Sequence, residues 1–154
     1  MRVKRIAQAV GTMALAPLFV LATSAVAHAD SDVHWNHKPD GRCLDADYNV
    51  WGTPVDVTLR DCSSAYRPWH DVQQGDGSWL EQVAGKNGYC MTAYTDHDVY
   101  TEPCSGNNYQ RWDEIDTGAG WKLRNRQTGE CVDSNGKSVY MHECNDGNEY
   151  QLWN

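Results

Sequence analysis

The segment Asn108-Tyr109-Gln110-Arg111-Trp112 returns at the end of the chain as Glu149-Tyr150-Gln151-Leu152-Trp153. A weaker copy, Ala65-Tyr66-Arg67-Pro68-Trp69, precedes both. The three tryptophans lie 43 and 41 residues apart. Cysteines keep the same beat: Cys43, Cys90 and Cys131 open the units, and Cys62, Cys104 and Cys144 come ahead of each tryptophan. A fixed period of this size, used three times, marks a fold assembled from three copies of one supersecondary unit.

The units do not begin at Met1. Arg2, Lys4 and Arg5 form a basic start, an apolar run of small residues follows, and Ala27-His28-Ala29 matches a signal-peptidase site. Residues 1–29 therefore read as a secretory signal, too short and interrupted by Pro17 to be an anchor. The expected product is exported and extracellular, with a loose terminus at 30–33. The leader holds three of the 13 basic residues and none of the 21 acidic ones, which leaves 10 against 21, a net charge of −11. Such a surface repels nucleic acid and anionic membrane, so neither is an expected partner.

In an exported domain of this size, six thiols read as three disulfides. The repeat selects, from 15 possible connectivities, the pairing Cys43–Cys62, Cys90–Cys104 and Cys131–Cys144, each within one unit. No C-x-x-C pair or H-x-x-x-H spacing supports zinc. The acids of Asp45-Ala46-Asp47-Tyr48-Asn49 are spaced like a calcium loop, but Val50 stands where that loop needs glycine. No metal or cofactor is expected.

Units at about 34–74, 75–116 and 117–154 share one grammar. A short strand (Trp35; Trp79-Leu80; Trp121-Lys122-Leu123) leads to a turn ending in Gly-x-Cys. A variable loop, an apolar strand (Val55 to Leu59; Val99 to Thr101; Val139 to Met141) and the Tyr-Gln-x-Trp strand follow. Short alternating runs between Gly, Asn and Asp turns predict strands, and no sustained 3.6-residue period predicts helix. The expectation is an all-β fold of about twelve short strands, closed on itself so that few edges stay open.

Gln-x-Trp three times at this period, with Cys-x-Asp earlier in the unit, resembles the ricin-B-type β-trefoil lectins. Within that family the motifs are most similar to the actinohivin-like actinomycete lectins. The third unit carries Gln127-Thr128-Gly129-Glu130-Cys131-Val132-Asp133-Ser134-Asn135, then Val139-Tyr140, then Asn145 and Tyr150-Gln151-Leu152-Trp153. The resemblance covers the whole of 34–154. It implies a β-trefoil with three intra-repeat disulfides and one shallow sugar pocket per unit. It implies mannose-type glycans as partner, while the wider family includes galactose and xylan binders. In such lectins the Asp, the Asn and the second Tyr of a unit hydrogen-bond the sugar, and the first Tyr packs against it.

These residue types suit a sugar on chemical grounds. A carboxylate accepts from two neighbouring hydroxyls, an amide both donates and accepts, and a Tyr ring offers an apolar face to C–H groups. The third unit keeps Asp133, Tyr140, Asn145 and Tyr150, with His142 where an apolar packing residue is expected. The first keeps Asp45 and Tyr66 but has Thr58, Arg60, Ser63 and Arg67 at the other places. The second keeps Tyr100 and Tyr109 but has Thr92 for the acid, Glu102 for the packing residue and Ser105 for Asn. One working site, in the third unit, is the expectation. Asp45 and Asp133 could instead be turn residues, since Asp bonds its own backbone readily. Trp69, Trp112, Trp153, Gln110 and Gln151 read as structural: Trp as core, Gln as partner for backbone groups at a tight crossing. No zinc-hydrolase helix motif, serine elbow or phosphate loop is present, so a binding protein rather than an enzyme is expected, as a monomer. A protein-binding or protease-inhibiting trefoil working through the loop at 45–54 is the alternative.

Overall fold

The computed structural model describes residues 30–63, 68–86 and 88–154. The proposed leader 1–29, together with Tyr66, Arg67 and Asn87, lies outside them. Among the described residues there are eleven strands and two single-turn 3-10 helices. No helix there is long and apolar enough to cross a membrane. The strands are β1 (Ser31–Val33), β2 (Cys43–Tyr48), β3 (Pro54–Arg60), β4 (Trp69–Gln73), β5 (Trp79–Val83) and β6 (Tyr89–Ala93). They continue as β7 (Val99–Pro103), β8 (Trp112–Asp116), β9 (Trp121–Asn125), β10 (Cys131–Ser134) and β11 (Val139–His142). The 3-10 turns are Asn108–Gln110 and Glu149–Gln151.

The threefold repeat is visible in the pairing register itself. Trp69 faces Val33, Trp112 faces Trp79, and Trp153 faces Trp121. One step on, Cys43 pairs with Asn36, Cys90 with Gln82 and Cys131 with Arg124. Pairing runs in a circle from β1 to β4, β5, β8 and β9, then to Trp153, and back through His37. Closing the ring covers strand edges that could otherwise recruit another chain. The hairpins β2–β3, β6–β7 and β10–β11 rise from this ring, and β3, β7 and β11 pack on one another. The result is a β-trefoil. Its twelfth strand is reduced to the bridge at Trp153.

Residues 30–33 correct one expectation. Ser31–Val33 is not loose but pairs antiparallel with β4, and the first unit begins at Val33 rather than His34. The reason is geometric. Val33 is the counterpart of Trp79 and Trp121, and without it β4 would lose a neighbour and the ring would open.

Trp69, Trp112 and Trp153 are fully buried in one core with Leu44, Met91 and Val132. Each indole Nε1 donates to the carbonyl of one of those three residues, at 2.8 Å to Leu44, 3.0 Å to Met91 and 3.3 Å to Val132. The tryptophans therefore both fill the barrel and tie each unit's last strand to its hairpin.

All six cysteines pair as the repeat requires: Cys43–Cys62, Cys90–Cys104 and Cys131–Cys144. The last bridge closes a loop of 13 residues. In the chain-entropy account such a bridge contributes about 3 kcal/mol. Replacing both Cys131 and Cys144 with Ala is expected to lower unfolding free energy by about that amount, read from urea denaturation. A loss below about 1 kcal/mol would show that the hairpin is held by other contacts.

Candidate functional site

In the third unit, β10 carries Asp133 and β11 carries Tyr140 directly opposite it. The chain then turns through Asn145 and Asn148 into the 3-10 helix that holds Tyr150. Asn148 caps that helix: its Oδ1 accepts from the Tyr150 N–H at 3.1 Å, while its Nδ2 donates to Asp133 Oδ2 at 2.7 Å. One amide thus fixes both the Tyr150 loop and the carboxylate. A cavity of about 270 Å³ results, lined by Asp133, Asn135, Tyr140, His142, Asn148 and Tyr150. Burial, the Asp133 charge with its hydrogen bond, and Tyr150 together raise the Tyr140 phenol above its ordinary pKa, so it stays protonated and able to donate. Tyr150 leaves nearly half its ring exposed and is backed from below by buried His37, ring centroids 6.1 Å apart.

Asn145 is not among the residues lining this cavity. Its backbone N–H donates to Gln151 Oε1 at 2.9 Å and its Oδ1 accepts from the Gly147 N–H at 2.9 Å, so it shapes the turn. The amide that meets the carboxylate is Asn148, three residues further on. A signal for it exists in the sequence, because Asn107 holds the same place before Tyr109-Gln110 and caps its own helix. Buried Lys122 holds this longer loop, donating to the Asn145 carbonyl at 2.8 Å and to Asp146 at 3.1 Å.

The second unit builds the same frame and fills it. Thr92 opposes Tyr100 as Asp133 opposes Tyr140, but its hydroxyl donates to the Cys90 carbonyl and accepts from Gln110. Tyr94 lies 4.7 Å from the Tyr109 ring and 6.2 Å from Tyr100, centroid to centroid. Its hydroxyl donates to Glu102 at 2.7 Å, a bond that raises its pKa, and the Tyr100 hydroxyl donates to Asp96 at 2.8 Å. The two tyrosines expected to face sugar are thus engaged with side chains of their own unit.

In the first unit the carboxylate is already paired. Arg60 holds the register place of His142, opposite the opening cysteine. Its Nε lies 3.3 Å from Asp45 Oδ2, and its Nη2 donates to Asp47. Asp45 is therefore an ion-pair partner with Thr58, not a tyrosine, across the hairpin. Asp45→Ala is expected to leave glycan affinity within about twofold of the parent, since its carboxylate is already paired with Arg60, a change within the ordinary scatter of surface substitutions. A titration in which this substitution weakens binding tenfold would contradict that assignment.

Gln110 and Gln151 bond backbone groups of their own units. Gln110 Oε1 accepts from the N–H groups of Ser105 and Gly106, and its Nε2 donates to the Pro103 carbonyl. Gln151 bonds the Asn145 N–H and the Glu143 carbonyl in the same way. Each glutamine locks the loop that leads into its 3-10 turn.

Comparison with known sequences decides the family: residues 33–153 match the ricin-type beta-trefoil lectin domain. The chain belongs to that family. Its members are carbohydrate-binding modules rather than catalytic domains, and the fold, the disulfide frame and the Gln-x-Trp strands here are those of such a module. No curated protein sequence matches the chain. Among solved structures, the chain is similar to a GlcNAcα1-4Gal-releasing endo-β-galactosidase from Clostridium perfringens, with TM-score 0.67 and 11% identity, covering 79% of this chain and 31% of that one. It is also similar to a mosquitocidal holotoxin, with TM-score 0.67 and 12% identity, over 81% of this chain and 16% of the toxin chain. A third similarity is to the Haemophilus ducreyi cytolethal distending toxin, with TM-score 0.64 and 14% identity, over 78% and 80% of the two chains. At these identities the likeness is one of fold. The chain spans about a third or less of the endo-β-galactosidase and the holotoxin.

Proposed function

We propose that this protein is a secreted lectin that binds a glycan through its third unit alone. One observation carries the reading. Of three frames with the same strand register, only the third, among the described residues, joins a carboxylate, an amide and two phenols around a cavity, Asp133, Asn148, Tyr140 and Tyr150. Asp133 Oδ2 already accepts from Asn148, and the remaining lone pairs of the carboxylate suit a pair of neighbouring sugar hydroxyls. The exposed Tyr150 ring offers the apolar face for C–H groups. His142 and Asn135 complete the rim.

The sugar class favoured is mannose-type, on the motif likeness of the third unit to the actinohivin-like lectins; galactose- or xylan-type glycans are the other members of the family's range. With one competent pocket the protein, as a monomer, lacks the gain of ~10²–10⁴ that linked sites provide when they engage together. A glycan array tests the reading. Binding to mannose-terminated glycans, abolished by free mannose, supports it; binding confined to galactose or xylose polymers reassigns the sugar; silence across the array removes the lectin function.

A second reading, a protein-binding trefoil, is favoured by the β2–β3 loop. Val50 and Trp51 are 90% and 85% exposed at its tip, on a turn held by Asn49 Oδ1 accepting from the Trp51 and Thr53 N–H groups. A rigid loop presenting an apolar tip is the form a protease inhibitor uses. Inhibition of a protease that is lost in Trp51→Ala, together with a silent array, would establish that reading instead.

A further inference from the structure

In the strand ring, outside the residues that line the sugar frame, three carboxyl groups converge from three strands. Asp71 lies on β4, Glu81 opposite it on β5, and Glu114 on β8. One oxygen from each lies within 4.8 Å of the others. Asp71 and Glu81 are almost wholly buried, 3% and 0% exposed. Glu81 Oε2 accepts from the Trp35 indole N–H at 3.0 Å. Beyond that bond the cluster is short of donors: Asp71 Oδ1, Glu81 Oε1 and Glu114 Oε1 are buried with no hydrogen-bond partner. Ionised carboxylates have no proton to donate to one another, so the trio is held either by a cation or by protons shared between Asp71 and its two neighbours.

That arrangement is costly and unnecessary for the fold. By register, the place of Glu81 is occupied by Trp35 in the first unit and by Leu123 in the third, so the barrel accepts apolar side chains there. Two buried, unpaired carboxylates cost several kcal/mol of desolvation in general. His70, next to Asp71 on β4, is bonded through its imidazole to Asp32 at 2.8 Å. Among the described residues no lysine or arginine forms an ion pair with the trio. Burial and mutual repulsion raise Glu81 well above its ordinary pKa and Glu114 to about 8, and burial raises Asp71 to about 6. Protons are thus the competing occupants.

We infer that Asp71, Glu81 and Glu114 form a buried site for one hard divalent cation of calcium type, which ties β4, β5 and β8 together. Three carboxylates supply up to six oxygens, the lower end of calcium's six to eight. Oxygens around a calcium ion, at 2.3–2.6 Å from it, sit up to about 5 Å apart, which accommodates the spacing here. The donors are all oxygen, which disfavours zinc and copper. Binding exchanges the protons of the trio for the ion, and three carboxylates around one divalent cation keep a single net negative charge. The site is drawn from residues 10 and 33 positions apart, Asp71 to Glu81 to Glu114, and no local motif marks it.

The test uses the full mature protein and two readouts that do not involve sugar: bound metal by elemental analysis after dialysis, and the thermal midpoint in chelator or in excess CaCl₂. The site predicts about one tightly held ion per chain and a midpoint about 5–10 °C higher in calcium than in chelator, the shift that a ligand in large excess over its Kd produces in a domain of this size. Glu81→Gln is expected to abolish both the ion and the shift, and Glu114→Gln serves the same purpose if the first variant does not fold. An unchanged midpoint with no bound ion would overturn the site in favour of carboxyls that are simply protonated. A calcium response that survives both substitutions would also overturn it, by placing the ion on the acidic surface.

Discussion

Asp133→Ala is expected to lower glycan affinity by about 10- to 100-fold and leave the protein folded. The magnitude follows from the bonds lost: hydrogen bonds to a charged group contribute about 1.5–3 kcal/mol, and each 1.4 kcal/mol is tenfold in Kd. The carboxylate also receives Asn148 Nδ2 at 2.7 Å, so its removal frees the amide that positions Tyr150. Two effects therefore act on the same pocket. Stability is expected to change by only about 1 kcal/mol, because Asn148 faces the open cavity, where water can replace its lost partner. Asp133→Asn keeps the shape and removes the charge, and should fall between parent and alanine. Calorimetric titration with the strongest array glycan checks the affinity. Equal binding by parent and Asp133→Ala would exclude the carboxylate from the site.

Trp112→Ala is expected to have the largest effect on the fold, a loss of about 3–5 kcal/mol from the cavity alone. Trp112 is fully buried and its Nε1–H satisfies the Met91 carbonyl at 3.0 Å, so the substitution also leaves a backbone acceptor without its donor. Domains of this kind hold about 5–15 kcal/mol in all. The variant should lose about a fifth or more of its stability in urea, with the disulfides intact. Trp51→Ala is the control: that ring is 85% exposed, and its loss should cost within about 0.5 kcal/mol. If the two substitutions cost the same, the tryptophans do not form the structural layer described above.

The fold was legible in the sequence because its determinants are periodic. The strand ending in Trp69, Trp112 or Trp153, the cysteine pair and the Gly-x-Cys turn each recur once per unit, and recurrence at one spacing survives the variable loops between them. The register equivalences Val33–Trp69, Trp79–Trp112 and Trp121–Trp153 reproduce that period in space. What the period hid was Val33 itself, an ordinary valine where the other units have tryptophan, so the first strand reads as a loose end.

The site was less legible, for two physical reasons. A motif tells which place a residue holds along the chain, while a turn decides which amide reaches the pocket. The third unit's longer loop bends at Asn145 and delivers Asn148 to Asp133, and the helix-capping asparagine common to two units was the available clue. The decay of the other units was visible as missing residues, but its consequence was not. Sequence shows that Thr92 replaces an acid; only packing shows that Tyr94 lies tilted against Tyr109. Likewise Arg60 was readable as a departure from the pattern, while its ion pair with Asp45 depends on the β2–β3 register. The carboxyl trio is further still from the sequence, since its members come from strands in two units and meet only when the barrel closes.

The most direct test of a single sugar site is a glycan titration followed residue by residue by nuclear magnetic resonance. The account predicts that the largest shifts fall on Asp133, Tyr140, Asn148 and Tyr150 and saturate together as one event, with Asp45, Tyr100 and Tyr109 unmoved. Shifts that centre on Tyr100 and Tyr109, or that appear in two units with separate saturation curves, would contradict it.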